Sequence, residues 1–182
     1  MADVLFGDYN PAGRLVQTWP KSLEQVPPMM DYNIRHGRTY MYFKGAPLYP
    51  FGYGLSYTTF KYSDLKAVPT LAADGSIIVS VDVKNTGERA GDEVVQLYAR
   101  HLHSELEHPA KELRGFQRVT LQPGERKTVA MLLPAKSFAY WDASRHAWVV
   151  EPGKIQLQVG ASSEDIRLTK MIRVGNEFYD KN

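Results

Sequence analysis

From Phe60 onward, turn-forming residues interrupt the sequence about every ten positions, a spacing that suits short strands and hairpins. Asp74-Gly75, Asn85-Thr-Gly87, Ala90-Gly91, Pro123-Gly124 and Pro152-Gly153 mark the cuts. In the two Pro-Gly pairs the proline pre-sets the backbone angle that a tight turn needs. Between the cuts the apolar residues alternate. Val79, Val81 and Val83 face one way with Ser80 and Asp82 opposite, and Ile155, Leu157 and Val159 repeat the pattern.

The other segments extend this reading. Phe60 to Lys66 reads as a strand, and Val94 to Ala99 mixes apolar residues on both faces, which predicts a strand partly buried on each side. Leu113 to Leu121 and Lys127 to Leu133 are expected to be partner strands about the Pro123-Gly124 turn. Phe138 to Trp141 and Ala147 to Val150 flank the turn-like Asp142 to His146, and Ile166 to Val174 closes the set. The expected fold class is all-β: an immunoglobulin-like or fibronectin type III-like β-sandwich of seven or eight strands over residues 60–176. Residues 177–182 are left as a tail.

Residues 1–59 read differently. Gly7-Asp-Tyr-Asn-Pro11 and Ala12-Gly13 stop a helix and turn the chain, Leu15 to Trp19 suits a strand stopped by Pro20, and Pro27-Pro28 forces an extended path. Nine aromatic residues lie between Tyr40 and Tyr62, more than a free segment would leave in water. This part is expected to be an irregular arm laid against another surface. Ala2 to Phe6 resembles the end of an amphipathic helix, so Met1 is expected to be a start inserted within a longer natural chain. Nothing there reports localisation.

The totals exclude several classes. A net charge of +2, with dispersed basic residues, argues against a nucleic-acid partner. No apolar run approaches the ~20 residues that span a bilayer, so no membrane partner is expected. With no cysteine there are neither disulfides nor thiolate metal sites.

At this level no residue set promises catalysis. Acid–base or nucleophilic work by carboxyl groups needs two of them converging on one site. Asp92 and Glu93, or Glu164 and Asp165, are neighbours on extended chain and point to opposite faces, while Glu105 and Glu107 fall in a polar stretch and Glu151 stands alone. His101, His103 and His108 near Glu105 and Glu107 invite a metal reading, but the spacing matches no zinc signature. The stretch from His101 to Lys111 is therefore expected to be a solvated polar loop, with no metal or cofactor. Gly52-Tyr-Gly54 lacks the Lys-Ser/Thr ending of a phosphate loop, and Ser56, Ser104 and Ser137 have no histidine–acid relay by spacing. Trp19, Trp141 and Trp148 are the candidates for stacking on sugar faces. The expectation placed ahead of it is structural: a tryptophan in the sandwich core and arm aromatics sealing a joint.

An ordered set of motifs then narrows the field. These are Ala2-Asp-Val-Leu-Phe-Gly-Asp-Tyr-Asn-Pro-Ala-Gly-Arg-Leu15, Thr18-Trp-Pro-Lys-Ser22, Gly37-Arg-Thr-Tyr40 and Pro47-Leu-Tyr-Pro-Phe-Gly-Tyr-Gly-Leu-Ser-Tyr57. Ala90-Gly-Asp-Glu-Val-Val-Gln-Leu-Tyr98, Lys111-Glu-Leu-Arg-Gly-Phe116, Trp148-Val-Val-Glu-Pro-Gly-Lys154 and Val159-Gly-Ala-Ser-Ser-Glu-Asp-Ile-Arg-Leu168 follow in order. Together they resemble the C-terminal end of a glycoside hydrolase family 3 enzyme, a β-glucosidase or β-xylosidase. The resemblance implies three parts: a (β/α)8 barrel with the nucleophilic aspartate, an α/β sandwich usually carrying the acid/base glutamate, and a fibronectin type III-like domain. Residues 1–59 resemble the last strands and exit path of the α/β sandwich, and residues 60–176 the terminal domain. It implies no catalytic residue here and no cofactor. The implied role is a non-catalytic accessory domain, partnered by the barrel and α/β sandwich, of a retaining enzyme that acts on terminal, non-reducing β-D-glucosides or β-D-xylosides. The alternative is a carbohydrate-binding module that takes oligosaccharide on surface aromatics.

Overall fold

The computed structural model describes residues 2–104, 106–176 and 178–180, the last three as backbone. The arm contains α1 (Ala2–Phe6), a 3-10 turn at Leu23–Gln25 and α2 (Thr39–Tyr42). The strands follow: β1 (Phe60–Lys66), β2 (Thr70–Leu71), β3 (Ser76–Asn85), β4 (Gly91–Leu102), β5 (Glu112–Leu121) and β6 (Arg126–Pro134). After a 3-10 turn at Ala135–Phe138 come β7 (Tyr140–Asp142), β8 (Ala147–Val150), β9 (Gly153–Gly160), β10 (Ile166–Val174) and β11 (Phe178–Asp180).

Two sheets make the sandwich: β1-β3-β6, and β2-β10-β9-β4-β5. Eight strands fall within the expected number, but their membership differs. β2 joins, the two strands about Asp142–His146 leave for a separate sheet, and β5 and β6, expected as partners, pair with β4 and β3 in different sheets. A smaller sheet, β11-β8-β7, is built on the Asp142–His146 hairpin, and β11 supplies a backbone ladder where the sequence marks only a tail. The alternation expected from Val79 begins at Ile77, and Ile77, Val79, Val81 and Val83 all face the core. Ile155, Leu157 and Val159 meet them from the other sheet, with Leu97, Leu121 and Leu133 among the fully buried side chains.

The core differs from expectation in one respect: it contains no tryptophan. Trp141 and Trp148 are 51% and 46% exposed, and Trp19 is 45% exposed. Branched aliphatic side chains on β3, β4 and β9, with Phe138 and Tyr62, fill the space between the sheets, and the tryptophans sit on the hairpin and arm outside it. The arm also departs from expectation, since Leu15 to Trp19 makes a single antiparallel bridge, Trp19 to Tyr49, instead of a strand. A strand needs a continuous neighbour. Here the available partner is the returning segment around Tyr49 to Tyr53, which meets Leu15 and Trp19 at separate points.

Strand β4 is buried on both faces, as its mixed pattern predicts. Val95, Leu97 and Ala99 face the core, and Gln96 and Tyr98 are buried on the opposite side. The arm covers that second face.

Candidate functional site

The joint between arm and sandwich is built from the Pro-Phe-Gly-Tyr-Gly run. Tyr40 stacks on Phe51 with centroids 4.3 Å apart and meets Tyr98 edge-on at 5.9 Å. The Tyr98 hydroxyl donates to Gln96 Oε1 at 2.6 Å, while Gln96 Nε2 donates to the carbonyls of Gly52 (3.1 Å) and Ala161 (2.6 Å). Gly52 must be glycine for two reasons: its φ is +81°, and a Cβ there would fall 2.0 Å from Gln96 Oε1. At Gly54 a Cβ would fall 2.2 Å from the Gly13 carbonyl oxygen. Two further backbone links fix the arm, Ser163 N–H to the Phe51 carbonyl and Ala110 N–H to the Met41 carbonyl, each 2.9 Å.

Beside this joint, Arg14 reaches Glu93 at 3.1 Å, both side chains almost wholly removed from water. Burial pushes the Glu93 carboxyl above its ordinary range, and Arg14 pulls against that shift. A buried carboxylate next to a guanidinium is an ion-pair lock, and it joins Arg14 of the arm to β4.

Among the described residues, the carboxylates weighed in the sequence are each engaged. Asp92 accepts from Arg118 (2.6 Å), Glu107 lies 3.4 Å from Arg35, Glu164 lies 3.4 Å from Lys111, and Asp165 pairs with Arg167. Glu105 lies outside the described residues. Asp92 and Glu93 do point to opposite sides, as adjacent strand residues must, with Glu93 buried and Asp92 at the surface beside Arg118.

The stretch from His101 to Lys111 is only in part the solvated loop that its composition predicts: His103, Leu106, Glu107 and Ala110 are exposed, but its two ends are built into the fold. Strand β4 runs on to Leu102, so His101 belongs to the ladder opposite Ile155 of β9. The chain then turns back through His103, whose φ is +59°, and lays His108 flat on His101. The two rings are 3.8 Å apart and within 4° of parallel. Phe138 meets His101 edge-on at 5.6 Å. Glu151, in the turn between β8 and β9, lies 3.1 Å from His108 Nε2, with the Ser104 hydroxyl 3.0 and 2.8 Å from its two oxygens. Burial, with His108 and Arg114 nearby, lowers the His101 pKa to about 4, so its ring is neutral at ordinary pH. His103 is exposed and stands apart from this group.

Trp141 and Trp148 lie directly opposite each other on β7 and β8, edge to face, with centroids 5.7 Å apart. They border an open cleft of about 810 Å³ that His101, His108, Arg114 and Phe138 also line. Trp19 is elsewhere: with Tyr49, Tyr53 and Leu55 it borders a shallower groove of about 550 Å³ on the arm. The structure thus brings two of the three tryptophans together and separates the third.

Comparison with known proteins gives these sites a setting. Residues 1–57 match the model of the glycosyl hydrolase family 3 C-terminal domain, and residues 93–163 that of the fibronectin type III-like domain. The thermostable β-glucosidase B of Acetivibrio thermocellus is 43% identical over 97% of this chain, which covers 25% of that protein. The xylan 1,4-β-xylosidase of Xylanibacter ruminicola is 44% identical over 94% of this chain and 19% of its own length. The crystal structure of the Kluyveromyces marxianus β-glucosidase in complex with glucose superposes with a TM-score of 0.87 at 41% identity, over 98% of this chain and 23% of that one. The chain therefore spans about a quarter or less of these relatives.

Proposed function

Because the chain belongs to glycoside hydrolase family 3, as a C-terminal portion of an enzyme of that family, we propose that it is a non-catalytic accessory unit of a retaining β-glycosidase. In this reading residues 1–59 complete the α/β sandwich domain, and the chain from residue 60 onward is the fibronectin type III-like domain that braces it. The intact enzyme acts on terminal, non-reducing β-D-glucosides or β-D-xylosides, and its barrel and α/β sandwich supply the reacting carboxylates.

The observation that carries this reading is the one-sidedness of the arm. Its inner side is fixed to β4 by the Tyr40–Phe51–Tyr98 stack and the Arg14–Glu93 pair. Its outer side leaves Phe6, Val16, Leu23, Met29 and Met30 each at least 77% exposed. Apolar side chains bared in that number mark a surface that another body covers. The rest of the family 3 C-terminal domain, of which residues 1–57 are the matching part, is that body. Purified chain supplied with aryl β-glucosides and β-xylosides is expected to release no product above the blank. Hydrolysis at enzyme-like rates overturns the proposal.

A second reading has its own observation. Trp141 and Trp148 are half-exposed at the rim of a cleft that also holds a guanidinium and imidazoles, groups able to bond sugar hydroxyls. Trp19, on its separate groove, would be an independent stacking point. A tryptophan-fluorescence titration with xylo- and cello-oligosaccharides tests this. A saturable change that Trp148→Ala abolishes and Trp19→Ala spares supports oligosaccharide binding at the cleft, whereas a flat response through millimolar sugar removes it.

A further inference from the structure

We infer that His101, His108 and Glu151 form a binding site for a divalent transition-metal ion, with zinc the best match. Two imidazoles and one carboxylate are a donor set that zinc takes when a fourth position stays open to water. One ligand atom from each residue lies within 4.8 Å of the other two. The three side chains come from separate parts of the fold: β4, the returning 103–111 segment and the β8–β9 turn.

A second observation points the same way. Nε2 of His101 is buried without a hydrogen-bond partner, an arrangement that costs stability unless something meets the nitrogen. An ion placed between His101, His108 and Glu151 would meet it. The carboxylate is also oriented from behind, because the Ser104 hydroxyl touches both Glu151 oxygens, as outer partners orient ligands in metal sites. Arg114, whose positive charge acts on His101, is engaged by Glu112 and lies over the Phe138 ring.

The geometry is that of an open site that must tighten. Bonds of about 2.0–2.1 Å to a tetrahedral ion bring ligand atoms to roughly 3.4 Å from one another. The parallel rings must also tilt so that both lone pairs converge. His108, on the returning segment, can make that tilt without disturbing the β4 ladder that fixes His101. The ion would then pin the 103–111 segment to β4 and to the β8–β9 turn, at the edge of the Trp141–Trp148 cleft.

The test titrates zinc into tag-free, chelator-stripped chain, reading stoichiometry by competition with a chromophoric chelator and Tm in parallel. One ion per chain is expected, with Tm raised by about 5–10 °C when free zinc exceeds Kd about a hundredfold. His108→Ala and Glu151→Gln are expected to abolish both responses, and Ser104→Ala to weaken binding about tenfold. His103→Ala, at an exposed neighbour outside the three ligands, keeps wild-type values. No saturable binding by the wild-type chain at micromolar zinc overturns the inference, as does binding that survives in both ligand variants.

Discussion

The sandwich and the arm are made on opposite plans. Strands β3, β4 and β9 hide their own apolar residues between two sheets, so that the domain carries its core within itself. In the arm Ala12 is the one hydrophobic residue that is buried, among the described residues, and order is borrowed from contacts with β4 and from a few backbone links. The comparison shows how one chain can hold a self-sufficient domain and a segment that leaves much of its apolar surface in water. Burial stabilises the first, while the second depends on a small number of polar and aromatic contacts that fix its position.

Substitutions in the two regions should therefore differ in size and kind. The largest loss is expected inside the sandwich. Leu97→Ala removes a fully buried side chain from a central strand, and about 4 kcal/mol should be lost in denaturant unfolding. Next is Arg14→Met, which leaves Glu93 buried and unpaired and should cost about 3 kcal/mol at neutral pH. This second loss carries a sign that a packing defect lacks. The Glu93 carboxyl titrates above its ordinary 4.5 in the folded chain, so the folded form gains a proton before the unfolded form does. Acidification toward that ordinary value should shrink the Arg14→Met deficit and leave the Leu97→Ala deficit in place, as urea melts at pH 7 and pH 5 would reveal.

Gly52→Ala comes third, at about 2 kcal/mol, because the new methyl displaces the Gln96 side chain and the residue must also hold a positive φ. Its effect should be local, with faster exchange of the Leu15 and Ser163 amides, which bond to the Tyr53 and Phe51 carbonyls. The smallest effect is expected on the bare face. Met29→Ser with Leu23→Ser should change stability by no more than about 0.5 kcal/mol, yet lower self-association in light scattering. A stability loss there as large as that of Leu97→Ala would erase the distinction between the two regions.

The sandwich was legible because strand burial writes a period of two into the sequence. Val79, Val81 and Val83 of β3, and Ile155, Leu157 and Val159 of β9, face the core as alternation requires. The double burial of β4 was also legible, but its cause was not: Gln96 and Tyr98 are covered by residues more than forty positions away. The same limit hid the histidine cluster. Composition made His101 to Lys111 a polar loop, whereas β4 extends into it, and the carboxylate that joins the histidines is Glu151, 43 residues beyond His108. The tryptophans failed as indicators because a rule about typical sandwiches was applied to a core already full of aliphatic side chains. The Trp141–Trp148 pairing follows from the Asp142–His146 turn, but their exposure does not.

Native-state hydrogen exchange, resolved by residue, tests the central claim most directly: a self-sufficient sandwich bearing an arm that completes another body. The account predicts that core amides of β3, β4 and β9 exchange only through global unfolding. Arm amides, including those of Leu15 and Trp19, should exchange through local opening at much lower free energy. Equal protection across arm and sandwich would contradict it, making residues 1–59 part of a single cooperative unit with no missing half to seat.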